Sequence, residues 1–304
     1  MKSRRSYTLI SAFYLLLLTF ILPPGISARA EITAIPFTYE NHVPFVRVQS
    51  QNNMHAPMCF ILDTGASTTV VGATTIRNLK LGYYKLNSMN DPQAATTCGM
   101  GNAPSAYIQG LRATCGELPL KSTALATDIN NFRLSCARPV DGLLGTDFLR
   151  NKILTIQFSK RMLYVESPSG SDNGLAGIAE HLPSDQHDAV FVKISTPLSP
   201  RPLVFLVDTG TTHCTVDLKV AKRMNLALST ECELNVVGGM KAAYTAGKFI
   251  GSLDGHPLPS KVLVCDLSQA SWSLARNIDG ILGMNFMENY TVKINFRTRK
   301  LNLL

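Results

Sequence analysis

The apolar positions of the chain fall in short runs, and their period is that of strands rather than helices. In the first half, Phe45-Val46-Arg47-Val48, Met58 to Leu62, Lys152 to Phe158 and Arg161 to Val165 are rich in β-branched and other apolar residues. In the second half, Ala189 to Ile194, Leu203 to Val207, Thr291 to Phe296 and Lys300 to Leu304 repeat the pattern. Helical spacing is confined to Thr75 to Leu81, Leu218 to Leu226, and single turns at Phe148 and Phe286. A mostly β protein with a few short helices is predicted.

The two halves are copies of one unit. Phe60-Ile61-Leu62-Asp63-Thr64-Gly65 recurs as Phe205-Leu206-Val207-Asp208-Thr209-Gly210, and Asp141-Gly142-Leu143-Leu144-Gly145 recurs as Asp279-Gly280-Ile281-Leu282-Gly283. The register of the second motif holds downstream, where Phe148, Ile156, Phe158 and Leu163 match Phe286, Ile294, Phe296 and Leu301. It also holds upstream, where Pro119-Leu120 matches Pro257-Leu258 and Asp128 matches Asp266. A repeat of this length predicts two similar lobes, over 31–166 and 185–304, with a Ser/Gly/Pro/Asn-rich linker over 167–184.

Residues 1–30 read differently. A basic Met1 to Arg5, an apolar Tyr7 to Leu22, the breaker Pro23-Pro24-Gly25 and Ala28-Arg29-Ala30 together form a secretory signal pattern, and the mature chain is expected to begin at Glu31. The apolar stretch is shorter than the ~20 residues that span a bilayer, so a membrane association is expected only if the leader is uncleaved. A periplasmic or secreted location follows. All seven cysteines lie beyond the leader, where disulfides are permitted; the odd count leaves at least one thiol over, and buried free cysteines compete with bridges.

Composition narrows the class further. With 45% hydrophobic and 16% charged residues, the 304-residue chain is globular rather than disordered. The formal charge of +8 falls to +4 without the leader's Lys2, Arg4, Arg5 and Arg29, and the densest basic run, Arg297-Thr298-Arg299-Lys300, lies in an expected terminal hairpin. Nucleic acid is not an expected partner. No Cys/His spacing suggests a metal, and no cofactor is expected.

An aspartate at the end of an apolar strand is carried to the edge of a core, where burial favours its neutral form. Duplication offers a remedy. A pseudo-two-fold axis that brought Asp63 and Asp208 to about 3 Å would set up a repulsion of roughly 5 kcal/mol, so the pair would share one proton. Such a pair can take a proton from water with its ionised member and polarise a carbonyl with its protonated one. Glycine after each threonine allows close approach of the turns, and each threonine hydroxyl can brace the loops across the axis.

On both Asp-Thr-Gly motifs and both downstream Leu-Leu-Gly and Ile-Leu-Gly motifs, the chain resembles the aspartic protease superfamily over nearly its whole mature length. The resemblance implies an all-β, bilobal fold of two pseudo-two-fold-related, retropepsin-like β-barrel lobes with the active site between them. It implies Asp63 and Asp208 as the catalytic pair, Thr64 and Thr209 as bracing residues, and Gly65 and Gly210 as turn residues. The family covers its substrate with a glycine-containing hairpin. Here the candidates are Cys98-Gly99-Met100-Gly101-Asn102 and Val237-Gly238-Gly239-Met240, which match a flap only loosely. Ala66 follows Gly65 as in retropepsins and Thr211 follows Gly210 as in pepsins, so the two carboxylates are expected to differ in hydrogen bonding, with the proton favouring one of them.

Other residues have plainer readings. Asp141 and Asp279 read as structural turn residues, His213 as a packed histidine, Cys59 and Cys214 as packed or bridged thiols, and Tyr107 and Tyr244 as cross-strand aromatics. The function expected is that of an exported aspartic endopeptidase acting on an extended peptide or protein as a monomer. The alternatives are a catalytically silent peptide-binding module of the same fold and a two-carboxylate glycosidase; the symmetric repeat and the lack of aromatic-rich loops count against the latter.

Overall fold

The computed structural model describes residues 31–52, 56–85, 106–130, 136, 138–167, 188–236 and 239–304. Strands dominate, in a 14-stranded sheet, a seven-stranded sheet and a two-stranded pair, and the helices among the described residues are all short. The expected strands are found at Val43–Ser50, Met58–Leu62, Ile153–Gln157, Met162–Glu166, Phe191–Ile194, Leu203–Val207, Thr291–Asn295 and Lys300–Leu303. The expected helices are found at Ala73–Leu79, Thr146–Leu149, Leu218–Arg223 and Met284–Met287.

Each copy is built on the same crossing. Gly142–Leu144 runs parallel to Met58–Leu62 and antiparallel to Val70–Gly72. Likewise Gly280–Leu282 runs parallel to Leu203–Val207 and antiparallel to Thr215–Asp217. Phe60 faces Gly142 in register, and Phe205 faces Gly280. The glycines are required by packing, since a Cβ on either would lie 2.5 Å from a ring carbon of its buried phenylalanine. Burial of Phe60 and Phe205 contributes about 1.5–3 kcal/mol each, which the repeated Asp-Gly makes room for.

The copies join through a shared sheet. Ile153–Gln157 pairs antiparallel with Thr291–Asn295, flanked by Met162–Glu166 on one side and Lys300–Leu303 on the other. At the centre of this pairing, Thr155 faces Lys293, its own counterpart at the spacing that separates Asp141 from Asp279. The pseudo-two-fold axis therefore passes through that pair. Leu154, Ile156, Val292 and Ile294 are fully buried on this sheet, so one apolar core continues from lobe to lobe.

Strand Ile32–Glu40 links two parts of the large sheet, pairing with Met162–Glu166 along its first half and with Val43–Ser50 along its second. Tyr107 and Tyr244 are cross-strand residues, facing Tyr84 and Leu125 in the first copy and Glu231 and Val264 in the second. The described cysteines, Cys59, Cys115, Cys136, Cys214, Cys232 and Cys265, are all free thiols. Burial pushes the thiols of Cys115 and Cys214 up to about 12 and that of Cys265 up to about 11, so these behave as small apolar side chains.

Candidate active site

Asp63 and Asp208 each follow directly on the central strand of their copy, and the neighbouring Leu-Gly motif holds each backbone. The Asp63 N–H donates to the Leu144 carbonyl at 3.0 Å, and the Asp208 N–H to the Leu282 carbonyl at 3.2 Å. Beneath them the threonines interlock. Thr64 Oγ1 accepts from the Thr209 N–H at 3.0 Å and donates to the Val207 carbonyl at 3.0 Å. Thr209 Oγ1 accepts from the Thr64 N–H at 3.0 Å and donates to the Leu62 carbonyl at 2.7 Å. Both threonines are buried, and every polar group in this four-bond knot has a partner.

The knot presses each carboxylate against the opposite loop. A Cβ on Gly65 would lie 2.5 Å from Asp208 Cγ, and one on Gly210 would lie 2.6 Å from Asp63 Cγ. Glycine is needed at both positions because the facing acid fills the space a side chain would take. The two acids are in turn close enough to act on each other. Burial holds the Asp63 carboxyl well above the usual carboxylate range, and the charge of Asp208 and a hydrogen bond with it push in the same direction.

The hydrogen bonds to the two acids differ. Asp63 Oδ1 accepts from the Gly65 and Ala66 N–H groups at 3.0 and 2.9 Å. Asp208 Oδ1 accepts from the Gly210 N–H at 2.7 Å, while its other oxygen accepts from the Thr211 hydroxyl at 2.6 Å. Ala66 has no hydroxyl with which to match Thr211. Asp208 thus has donors on both oxygens, and the raised Asp63 is the acid that favours holding the proton.

Asp141 and Asp279 hold the central strands from the side. Asp141 Oδ2 accepts from the Cys59 N–H at 2.9 Å, and Asp279 Oδ2 accepts from the Val204 N–H at 2.9 Å, each four residues before the aspartate of its strand. Thr75 donates to the other oxygen of Asp141 at 3.0 Å, whereas a two-pronged Arg201 contacts Asp279 at 2.8 and 2.9 Å. A second pair of clamps was not singled out from sequence. Asp147 Oδ1 accepts from the Thr69 N–H and hydroxyl at 2.9 and 2.8 Å, and its counterpart Asn285 accepts from the Cys214 N–H at 2.8 Å. The signal was present in the register, two residues after each Leu-Gly, but an aspartate matched to an asparagine does not look like a repeat.

Of the flap candidates, Gly99, Met100, Gly101 and Gly238 lie outside the described residues. Gly239 opens strand Gly239–Ala246, which pairs with Leu228–Val236 as a long hairpin, and Met240 near its tip is 62% exposed. His213 is half-buried and Cys214 is buried behind the Asp208 loop. Among the described residues, no cluster of His, Cys, Asp or Glu is arranged to hold a metal ion.

Residues 198–286 match the family model described as Aspartyl protease. The matched stretch covers most of the second lobe. The match runs from ahead of strand Leu203–Val207, through Asp208-Thr209-Gly210, to the Gly283 motif and the helix after it. The first copy, outside the matched residues, has the same strand crossing. Among solved structures, the aspartic proteinase from Irpex lacteus is similar, with 15% identity and a TM-score of 0.49 over 89% of this chain and 96% of that one. No curated protein matches the sequence.

Proposed function

We propose that the chain is an aspartic endopeptidase that hydrolyses peptide bonds with a water held between Asp63 and Asp208. The observation that carries this reading is the mutual seating of the two acids, each against the opposite loop's glycine above an interlocked threonine pair. In this reading Asp208, stabilised as a carboxylate by the Gly210 N–H and the Thr211 hydroxyl, takes the proton from water. Asp63, held neutral by burial and by its charged partner, donates to the scissile carbonyl oxygen as the tetrahedral intermediate forms. As the C–N bond breaks, the proton that Asp208 has taken passes to the leaving amine, Asp63 takes a proton back from a hydroxyl of the diol, and no covalent intermediate is formed. Both halves of the site come from one polypeptide, so a monomer suffices.

The substrate is an extended peptide lying between the lobes, held by main-chain hydrogen bonds. The hairpin of Leu228–Val236 and Gly239–Ala246 is the described element we assign to covering it. The leader-like residues 1–30 support export to a periplasmic or extracellular compartment. Among the described residues, no helix is long and apolar enough to cross a membrane.

The test is incubation of the chain from Glu31 onward with a diverse peptide mixture from acid to neutral pH, beside Asp63→Asn and Asp208→Asn. Cleavage by the wild type, reduced at least 10³-fold in each variant, is the expected result, by analogy with the cost of removing other essential catalytic groups. Cleavage that survives in either variant would falsify the dyad. Tight peptide binding without cleavage by any form would instead identify a silent peptide-binding module.

A further inference from the structure

Away from the dyad and the shared sheet, two side-chain contacts between the lobes are related by the internal repeat, and one of the two contains histidine. At the first, Arg150 Nε lies 2.8 Å from Asp188 Oδ2. At the second, Glu288, the counterpart of Arg150, faces the turn that carries His42. At the spacing that separates Asp63 from Asp208, Asp188 falls one position beyond the counterpart of His42, so the two contacts are near-equivalents.

Glu288 Oε2 accepts the Tyr39 hydroxyl at 2.6 Å and lies 2.9 Å from His42 Nδ1. Tyr39 lies near the end of strand Ile32–Glu40, and His42 lies in the tight turn that leads to Val43–Ser50, where Asn41 and His42 both adopt positive φ, 50° and 62°. Beyond Glu288, the His42 ring meets the His213 ring edge-on at a centroid distance of 5.4 Å. His213 sits on the Asp208 loop, which the Met284 and Asn285 N–H groups anchor by donating to the Thr211 and Thr212 carbonyls at 2.9 Å each. Arg161 lies over the Tyr39 ring at 5.0 Å, and Lys261 is the remaining charge that acts on His213.

We propose that His42 and His213 form a pH-sensitive latch between the lobes, closed while at most one ring carries a proton and loosened in acid when both do. An ionised Glu288 can only accept, so His42 Nδ1 carries the hydrogen and an added proton goes to Nε2 with the carboxylate contact kept. His213 has a neutral partner, the Thr212 hydroxyl, 3.0 Å from its Nδ1. Its protonation therefore sets one imidazolium against another. Burial holds the His213 ring below the usual histidine value; His42 and Lys261 push the same way, and Glu288 pulls against them. A base whose folded value is depressed binds fewer protons folded than unfolded. The junction thus keeps its full stability above the ordinary histidine value, and loses it as pH falls below.

The test is a histidine NMR titration and thermal unfolding of the mature chain, in the wild type, His42→Gln, His213→Gln and the control Asp188→Asn. His213 should titrate below the ordinary histidine value in the wild type and move up in His42→Gln. Between pH 7 and 5, the wild type should lose about 2–4 °C more in Tm than His213→Gln. The Asp188→Asn offset should stay constant over the same range. A His213 titration that His42→Gln does not move, or an acid loss of Tm that survives in His213→Gln, overturns the latch. If His42→Gln does not fold, the wild-type curve decides: mutually dependent, stretched titrations of the two rings support it and two independent single-site curves overturn it. No readout requires hydrolysis, so failure of the latch and failure of the dyad are separable.

Discussion

The loop that carries Asp63 and the loop that carries Asp208 share a backbone and differ in the hydrogen bonds to their acids. Strand, aspartate, interlocked threonine and facing glycine are duplicated, with hydrogen-bond lengths that agree within a few tenths of an ångström across the axis. The side chains around them are only partly duplicated. Ala66 stands opposite Thr211, Asp147 opposite Asn285, Thr75 does for Asp141 what Arg201 does for Asp279, and Arg150–Asp188 balances His42–Glu288. Backbone geometry must be symmetric to seat two acids face to face. Proton affinity must be asymmetric if one acid is to hold the proton and the other to give it up.

The shared half of this comparison can be broken at the threonines. Thr64→Ala with Thr209→Ala removes both hydroxyls of the knot and leaves two buried N–H and two buried carbonyl groups without those partners. Each unsatisfied group costs about 1–3 kcal/mol, so the double variant should lose roughly 4 kcal/mol or more and melt roughly 10 °C lower in a calorimetric scan. Valine at both positions keeps the shape but not the hydrogen bonds, and should melt nearly as low. A double variant that melts within about 2 °C of the wild type would show that packing, not the knot, holds the loops together.

Much of the shared half was legible in the chain, and most of the divergent half was not. Strands Met58–Leu62 and Leu203–Val207 announce themselves as apolar runs, and the repeated Asp-Gly motifs fix the register, because both signals are local. Strand Ile32–Glu40 was missed because Thr33 points inward and Pro36 interrupts the run, which blurs the alternation. The helix Ser268–Ser273 was missed because six serine-rich residues carry no apolar face. The contact of Tyr39 with Glu288 spans 249 residues and depends on how the lobes dock, so no local pattern records it. Thr211 lies between these extremes. Its departure from Ala66 predicts an asymmetric pair, and the oxygen of Asp208 that its hydroxyl reaches follows only from the folded loop.

That asymmetry is sharpened by exchanging the two residues. Thr211→Ala removes a charge-assisted hydrogen bond from the Asp208 carboxylate while leaving its bond from the Gly210 N–H. Such a bond is worth about 1.5–3 kcal/mol, or on the order of one to two pH units for the pair. The acid limb of the kcat/KM profile should therefore move to higher pH by about one unit, as the ionised form becomes harder to keep. Ala66→Ser offers the first loop a hydroxyl of its own and should move the same limb the other way by a smaller amount. An unmoved acid limb in Thr211→Ala would mean that the proton preference comes from elsewhere in the site.

The subtlest difference is Asp147 against Asn285, two side chains that do the same backbone work with and without an ionisable group. Asp147 is buried, and desolvation raises its carboxyl above the usual value despite the three hydrogen bonds from Thr69 and Phe148. A carboxyl raised on folding binds more protons folded than unfolded, so its contribution to stability falls as pH rises from the unfolded value through the folded one. Asp147→Asn copies the second lobe into the first and removes that loss, since Asn Oδ1 can accept from the same donors. Relative to the wild type, the variant should gain stability as pH rises from about 4 to 7, by less than about 1 kcal/mol in urea unfolding. A gap between the two proteins that does not change with pH would mean that Asp147 stays in one protonation state throughout. The acid would then be a clamp and nothing more, as the asparagine already is in the other lobe.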